Sequence, residues 1–331
     1  KYLTLCIIRL DAGTLELSIT DYRENSNYCG YVRCILGKCK VTDMLSQLAE
    51  IQTQIKDYNI TIGQLTTKIN ELTLKIDEMT GDVVSIGKCG QSVDFVLYSD
   101  GRLLLKGTGA TYDYNSDRNP SPFLDNANVK SVIVSEGITG IGERLFQYCN
   151  NLKTASLPTT LTVIKRSAFM PHIDEYLSHE VLNGLTELRI PERVAELGVN
   201  AFAGTAIKSV TVPSSVVTVG AMVFTECQNL ETVRYGGKII SDRMFARCIR
   251  LKNLTLTKSV REIVGGCFNY CESLKMITYE GSITDWNAVK KNNNWDGHSN
   301  STTETPLTKI QCLDGYMEYV TSTKTWKEVK A

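Results

Sequence analysis

The chain has 331 residues with 36 basic and 36 acidic side chains, so its formal net charge at neutral pH is zero. That balance argues against a polyanionic partner, and we expect no nucleic acid ligand. No apolar run approaches the roughly 20 residues that span a bilayer, so we also expect no membrane insertion. The first run, YLTLCIIRL, is too short and wrongly flanked for a signal peptide, which leaves export undecided.

Residues 1–40 contain three strand-like runs, YLTLCIIR, TLELSITDY and GYVRCIL, separated by turn-forming segments. A sheet this small buries little surface, so we predict an anchor module that pairs with copies of itself or docks on other virion or surface proteins. Cys29, Cys34 and Cys39 could include a disulfide partner for Cys6, and this disulfide state is left open. Their C-x4-C-x4-C spacing matches no common zinc pattern, so we expect no metal.

The next segment, residues 41–80, has apolar residues alternating at intervals of three and four over more than five heptads. This pattern predicts one long coiled-coil helix, a stalk that ends at Thr80 and Gly81. Isoleucine at a with leucine at d favours two strands, whereas the Tyr58 layer permits three. We predict a parallel homotrimer, with a dimer as the alternative. The predicted oligomerisation residues are Leu48, Ile51, Ile55, Tyr58, Ile62, Leu65, Ile69, Leu72 and Ile76.

Residues 81–128 are predicted to cover the N-terminal end of the repeats that follow. VDFVLY and RLLLKG flank a Ser-Asp-Gly turn, which predicts a hairpin that hides apolar edges. The loop ATYDYNSDRNPSPF comes next, either as a surface connection with a packed Phe123 or as a ligand contact. Because exposed tyrosines make amphipathic contacts at recognition surfaces, Tyr112 and Tyr114 are candidate ligand contacts.

A phrase of about 22 residues repeats six or seven times within residues 129–280. Its frame is L-x-x-L-x-[IVL]-[P/T]-x-x-V-x-x-[IVL]-[G/V]-x-x-[A/V/C]-F. The L-x-x-L-x-I start alternates apolar and polar residues, which predicts a short strand, and the proline that often follows ends it. One copy cannot bury its apolar face alone, so the copies are expected to stack into a solenoid. The phenylalanines that mark the same place in successive copies are Phe146, Phe169, Phe202, Phe224, Phe245 and Phe268.

Four cysteines, Cys149, Cys227, Cys248 and Cys271, each fall three residues after a repeat phenylalanine. This fixed position predicts a ladder of small buried thiols that stack from copy to copy. Disulfides between repeats are the alternative.

The interval between Phe169 and Phe202 is longer than the others, and MPHIDEYLSHEVLNG forms the insertion. Insertions in solenoids project as loops, often on the binding face, although a short helix that closes the surface is the alternative. His172, Tyr176 and His179 are the candidate ligand contacts in this segment. No H-E-x-x-H spacing brings its histidines and carboxylates together, so we predict no metal site.

After residue 280 the repeat pattern is lost, and residues 281–331 are predicted to form a C-terminal cap and tail. KIQCL and YMEYV around an Asp-Gly turn predict a hairpin, whereas the polar tail STKTWKEVKA is expected to fray. Trp286 and Trp295 either pack this cap or form an aromatic platform for a sugar, which makes them candidate ligand contacts.

The repeats resemble the BspA-like leucine-rich repeats, a bacterial type with the pattern I-P-x-x-V-x-x-I-G-x-x-A-F-x-x-C. The resemblance covers about half of the chain directly. Together with the segments above, it implies an α+β fold: a small N-terminal β module, a long coiled-coil helix and a leucine-rich-repeat β-solenoid with hairpin caps. The clearest match lies in the copy from Leu185, at Ile190, Pro191, Val194, Gly198, Ala201 and Phe202.

The sequence contains no G-x-S-x-G, no phosphate-binding P-loop and no H-E-x-x-H motif. We therefore expect no enzyme, no cofactor and no metal. The resemblance implies an extracellular adhesion or receptor-recognition protein that binds a host protein or carbohydrate. The predicted stalk favours a bacteriophage tail or head fibre. The alternative hypothesis is a bacterial surface or secreted adhesin, and the third is a structural decoration protein without a host ligand.

Overall fold

A computed structural model describes residues 6–10, 17–21, 50–51, 53–54, 57–58, 60–70, 82–115, 118–173, 184–297 and 306–330. The chain divides into two compact units, Lys1–Gln64 and Leu65–Ala331. In the first, β1 (Cys6–Leu10) and β2 (Leu17–Asp21) form an antiparallel pair, which confirms the first two predicted strand runs. The third run, Cys29, Cys34, Cys39 and the side chain of Cys6 lie outside the described residues.

The predicted coiled-coil helix over residues 41–80 is wrong. The described structure is mostly β, and its helical residues in this region lie between 50 and 70, with 60–70 as the longest unbroken run. The predicted segment 41–80 contains Gly63, Gly81 directly after it, and many threonines and isoleucines, and these residue types have low helix propensity. A heptad spacing decides which face of a helix is apolar, but it supplies neither propensity nor a partner. Leu48, Ile55, Leu72 and Ile76 lie outside the described residues.

In the described part of the second unit, apart from the helical residues 65–70, the elements are short strands and one six-residue helix, α1 (Ile283–Ala288). Its strands in chain order are β3 (Val83–Gly90), β4 (Val93–Tyr98), β5 (Arg102–Gly107), β6 (Gly109–Ala110), β7 (Ser131–Val134), β8 (Ile138–Ile141), β9 (Thr154–Ser156), β10 (Val163–Ile164), β11 (Glu196–Leu197), β12 (Ser209–Val212), β13 (Thr218–Val219), β14 (Thr232–Tyr235), β15 (Ile239–Ile240), β16 (Asn253–Thr257), β17 (Glu262–Ile263), β18 (Met276–Glu280), β19 (Lys290–Lys291), β20 (Lys309–Cys312), β21 (Gly315–Val320) and β22 (Thr325–Lys330).

Most coils of the solenoid contribute one strand to each of two walls. The L-x-x-L-x-I segments build the front sheets, in the orders β3-β4-β5-β7-β9 and β12-β14-β16-β18-β20-β21-β22. The later V-x-x-[IVL] segment of the repeat frame supplies most strands of the back sheets, in the orders β13-β11-β10-β8-β6 and β15-β17-β19. Repeat strands pair in parallel and in register, so Val210 lies beside Val233 and Val233 beside Leu254. The apolar side chain of one coil therefore always meets its counterpart in the next.

The core between the two walls is a column of seven phenylalanine rings that runs along the solenoid axis. Neighbouring ring centroids lie 5.1 to 6.2 Å apart from Phe123 to Phe268, and the rings between Phe169 and Phe268 are nearly parallel. All seven rings are buried. The sequence predicted six of them in this role, and the packed Phe123 is the seventh, placed by the loop that precedes the first copy.

Both ends of the solenoid are closed by antiparallel strands, as predicted. At the N-terminal end, β4 pairs with β5 and β5 continues in parallel into β7, while Phe95 packs edge-on against Phe123 at 4.8 Å. At the C-terminal end, β20 pairs with β21. These strands cover apolar side chains that the last coils would otherwise expose.

Two local predictions differ from the structure. LTELRI, residues 185–190, forms no strand although Leu185 and Ile190 are buried, so the front wall is interrupted between β9 and β12. The tail that was expected to fray forms β22, which pairs with β21 along its whole length. Trp326 holds it in place, since its Nε1 donates to Asp296 Oδ2 at 2.8 Å and its ring packs on Trp295.

Candidate recognition surface

The outward side of β12, β14, β16 and β18, which we call the front face, is a regular array of mostly small polar side chains. Strand alternation turns Val210 and Val212 into the core, while Ser209 and Thr211 point outward and are exposed. In-register pairing places Thr211 beside Arg234. The backbone therefore decides which positions point outward, and the side chains at those positions can differ from coil to coil without disturbing the core.

One charged pair crosses the front face. Both guanidinium nitrogens of Arg234 donate to the two carboxylate oxygens of Glu280, with Nη2 to Oε2 at 2.9 Å. The two residues sit on β14 and β18, so the pair reaches over β16. A bidentate pair of this kind holds both side chains in one orientation. A ligand on the front face would therefore meet fixed charges.

A shallow depression of about 140 Å³ lies on the back wall, where Thr111, Thr139, Thr162 and Lys165 contribute to its lining. Lys165 Nζ lies 2.7 Å from Asp113 Oδ2 in an exposed ion pair. Partial burial raises the pKa of the Asp113 carboxyl, but hydrogen bonds from Lys165 and a backbone N–H lower it more, so the net pKa lies below its ordinary value. The depression offers small hydroxyls and one paired cation, with no nucleophile or free base among the residues just named.

The cysteine ladder is confirmed: Cys149, Cys227, Cys248 and Cys271 are buried free thiols. Each Sγ donates to the carbonyl oxygen of the phenylalanine in the preceding coil, at 2.9 to 3.2 Å. Thr205 occupies the same column and its Oγ1 donates to Phe202 O at 2.8 Å. Burial raises the pKa of each ladder thiol, so these groups are inert and structural.

A half-buried lysine beside the C-terminal cap also has a structural role. Lys291 Nζ donates to the carbonyl oxygens of Trp286 and Val289, at 2.6 and 2.8 Å, and lies over the Trp286 ring. Burial lowers the pKa of Lys291 to about 8. Because both carbonyls belong to the end of α1, the ammonium group serves as a cap for that helix.

The predicted ligand contacts are dispersed. Tyr112 is 44% exposed, whereas Tyr114 is buried and packs edge-on against it. His172 is exposed and stacks on Tyr148 with ring centroids 4.0 Å apart. Trp286 and Trp295 are buried against each other in the C-terminal cap, and neither offers an open ring face to a sugar. Tyr176 and His179 lie outside the described residues.

The family profile described as "BspA type Leucine rich repeat region" matches the chain in six copies over residues 117–175 and 173–290, slightly more than half of its length. The chain belongs to the BspA-type leucine-rich repeat family. A search of curated proteins found no match to it.

Solved structures similar to this BspA-type protein come from several bacteria. A leucine-rich repeat protein from Bacteroides ovatus is 15% identical, with 68% of this chain and 76% of that chain covered and a TM-score of 0.38. The leucine-rich repeat protein of T. pallidum is 22% identical, with coverages of 56% and 88% and a TM-score of 0.40. A leucine rich cell surface protein from Faecalibacterium prausnitzii is 17% identical, with coverages of 64% and 98% and a TM-score of 0.22.

The part of this BspA-type protein that the structure describes contains neither a metal-binding cluster nor a helix that could span a membrane. Within those residues, no three His, Cys, Asp or Glu side chains cluster so that they could hold a metal ion. Over the same ranges, no helix combines the length and apolar character that a membrane span requires.

The front face of the BspA-type repeats was missed as a candidate site at the sequence level. Its signal was present: Arg234 and Glu280 have opposite charges and lie 46 residues apart, close to two repeat intervals. Only the parallel register shows that an arginine in one strand reaches a glutamate two strands away. The candidate contacts chosen from the sequence were instead the aromatic and histidine side chains of loops and caps.

Proposed function

We propose that this protein is a non-catalytic recognition protein displayed on a bacterial surface or secreted from the cell, and that the front face of its repeats contacts the ligand. The observation that carries the proposal is the continuity of that face: four neighbouring parallel strands, β12, β14, β16 and β18, present exposed or half-exposed side chains in one array. A rigid scaffold with a variable outer array suits recognition, because side chains there can change while the core keeps its packing.

The ionisable groups described above support a role in binding rather than catalysis. The ladder thiols are buried and protonated, Lys291 is held by two carbonyl oxygens, and Asp113 is paired with Lys165. A catalytic acid, base or nucleophile needs access to a substrate and a pKa suited to proton transfer. The front face carries hydroxyls, an amide and a paired arginine, which are groups that form hydrogen bonds with a ligand.

A bacterial surface location is the more specific part of the proposal. BspA-type repeats resemble parts of surface adhesins and secreted bacterial proteins, and membership of this family supports such a location. The alternative of a phage fibre relied on a long stalk over residues 41–80, and that helix is the part of the sequence prediction that was wrong. We therefore propose the bacterial assignment.

The test is binding of the full chain to host epithelial cells and to an array of extracellular matrix proteins and glycans. The variant Thr211→Tyr/Thr232→Tyr places two bulky neutral side chains on the front face. Tyrosine suits a strand, so the fold should persist. The matched control is Thr321→Tyr, at the exposed turn between β21 and β22.

We expect wild-type protein and the control to bind the same ligand, and the front-face variant to lose binding roughly tenfold, about the effect of losing one or two good contacts. If all three proteins bind equally, the ligand lies elsewhere and the front-face proposal is wrong. If none binds any cell or array ligand, the third function, a structural decoration protein without a host ligand, takes its place.

A further inference from the structure

One column of the solenoid, at the start of each front-wall segment, is rich in lysine. It is the position directly after the first apolar residue of each copy. Backbone hydrogen bonds define its path: Lys153 N donates to Lys130 O at 2.8 Å, Thr186 N to Lys153 O at 3.0 Å, and Lys252 N to Glu231 O at 3.0 Å. We call it the lysine column, with the cationic members Lys130, Lys153, Lys208, Lys252 and Lys275; Thr186 and Glu231 fill its other two positions.

The charges of the lysine column are largely available to a ligand. Lys130, Lys208, Lys252 and Lys275 are exposed, and Lys153 is half-buried. The column's own acid, Glu231, has Oε2 3.8 Å from Lys252 Nζ. In the described part of the chain, no ion pair involves the other three exposed lysines. The chain as a whole has no net charge, but this column is positively charged, because the fold brings together lysines that are far apart in the sequence.

The spacing of the column favours a polymer over a single small anion. Adjacent strands lie about 4.8 Å apart, so Lys208 and Lys252, which are two strands apart, are separated by roughly 10 Å. Most side chains that directly follow the column on the front face are polar: Ser209, Thr232 and Asn253 follow Lys208, Glu231 and Lys252, whereas the exposed Met276 follows Lys275. Hydroxyl and amide groups at that position can bind the hydroxyls of a sugar while the ammonium groups bind its anionic substituents.

The same spacing disfavours nucleic acid. Duplex DNA carries one negative charge per roughly 1.7 Å of its axis, far denser than the lysines of this column, and its affinity for proteins depends on neutralising many phosphates. The carboxylate of Glu231, in the middle of the column, would be repelled by the phosphates. A polysaccharide with one anionic group per one or two sugars matches a sparse, interrupted row of cations.

We propose that the lysine column binds an acidic polysaccharide, a polymer carrying carboxylate or sulfate groups, laid along the solenoid axis with its hydroxyls against the front face. This inference rests on the proposed recognition function and names the class of its ligand. Polar groups of the front face orient the polymer, and the lysines supply the charge attraction, which weakens as salt screens it.

The experiment measures binding of the full chain to defined polygalacturonate and heparin oligosaccharides by isothermal titration calorimetry. The two probes separate carboxylate from sulfate recognition, with neutral dextran and duplex DNA as comparison ligands. The test variant is Lys208→Ala/Lys252→Ala/Lys275→Ala. The matched control, Lys238→Ala/Lys258→Ala/Lys327→Ala, removes the same charge from exposed lysines outside the column. Thermal melting by circular dichroism checks that both variants are folded.

We expect at least one acidic probe to bind, the column variant to bind it roughly tenfold more weakly, and the control to stay within about twofold of wild type, as losing three exposed charge contacts implies. Glu231→Lys removes the acid from the column and should tighten binding. Equal weakening in both triple variants, DNA binding as tight as glycan binding, or no binding to either acidic probe would overturn the proposal. If cell binding still depends on Thr211 and Thr232 in that case, the proposed function stands without the lysine column.

Discussion

The buried thiol ladder makes the stability of this protein sensitive to alkaline pH. Burial raises the pKa of Cys149, Cys227 and Cys271 to about 12 from an ordinary value of 9.0. The folded state thus keeps protons that the unfolded state releases. The stability from each thiol is fully present below about pH 9 and is lost progressively as pH rises from there to about 12.

The size of the effect follows from these pKa values. At about pH 10, a thiol with an unfolded pKa of 9.0 and a folded pKa of about 12 has lost roughly 1.4 kcal/mol of its contribution to the free energy of unfolding. The three thiols together give about 4 kcal/mol, a large share of the roughly 5 to 15 kcal/mol that stabilises a typical domain.

The assay is urea denaturation under reducing conditions at about pH 8 and about pH 10, with tryptophan fluorescence as the signal. The comparison variant is Cys149→Ser/Cys227→Ser/Cys271→Ser. Serine does not ionise in this range and keeps a hydroxyl donor in the column, as Thr205 does, whose Oγ1 donates to the carbonyl oxygen of Phe202 in its own coil at 2.8 Å. We expect wild type to lose several kcal/mol more than the variant between the two pH values. Equal losses would refute the reasoning, since lysines and tyrosines titrate alike in both proteins.

Three further predictions concern packing and assembly. Phe224→Ala should lower the free energy of unfolding by about 3 to 5 kcal/mol in urea denaturation, because the ring stacks on two neighbours at 5.6 and 5.7 Å; a loss below about 1 kcal/mol would contradict a continuous ring column. Gly220→Ala should markedly lower the melting temperature, because its Cβ would lie 2.3 Å from the backbone nitrogen of Val199, and an unchanged melting curve would count against such close coil packing. Ile62 and Ile69 are 51% and 60% exposed in the single chain, and we expect them to join copies of the protein, so Ile62→Asp/Ile69→Asp should reduce the mass measured by light scattering; an unchanged mass would argue against that contact.

Residue type and net charge alone did not predict which side chains of this protein are exposed or lie next to each other at a binding surface. Trp286 and Trp295 were considered as a sugar platform because exposed aromatics bind sugars, but burial cannot be read from residue type alone, and both pack the cap. Arg234 and Glu280 are unremarkable in the sequence, and parallel register brings them together. Lys130 and Lys275 likewise share a column only because about 22 residues return the chain to the same place.

Local sequence pattern predicted too much regular structure in residues 41–80 and too little in the C-terminal tail. A heptad spacing predicted a long helix over 41–80, yet the described structure is mostly β, because spacing fixes which face of a helix is apolar and leaves helix formation to propensity and partners. The polar tail was predicted to fray, yet the Trp326 ring packs on Trp295 and its Nε1 donates a hydrogen bond to Asp296. The order of the tail depended on contacts with residues about 30 positions earlier in the chain.

The sequence by itself determined the family, the stacked repeats and the buried positions, including Phe224 and Cys227, because a periodic chain repeats the same local packing in every coil. It also determined the hairpins at both ends through their turns. Only the tertiary structure decided that each coil has a second wall, that the wall breaks beside the insertion, and which outward side chains meet. Those features depend on the registration of one coil against the next, and no single copy contains that information.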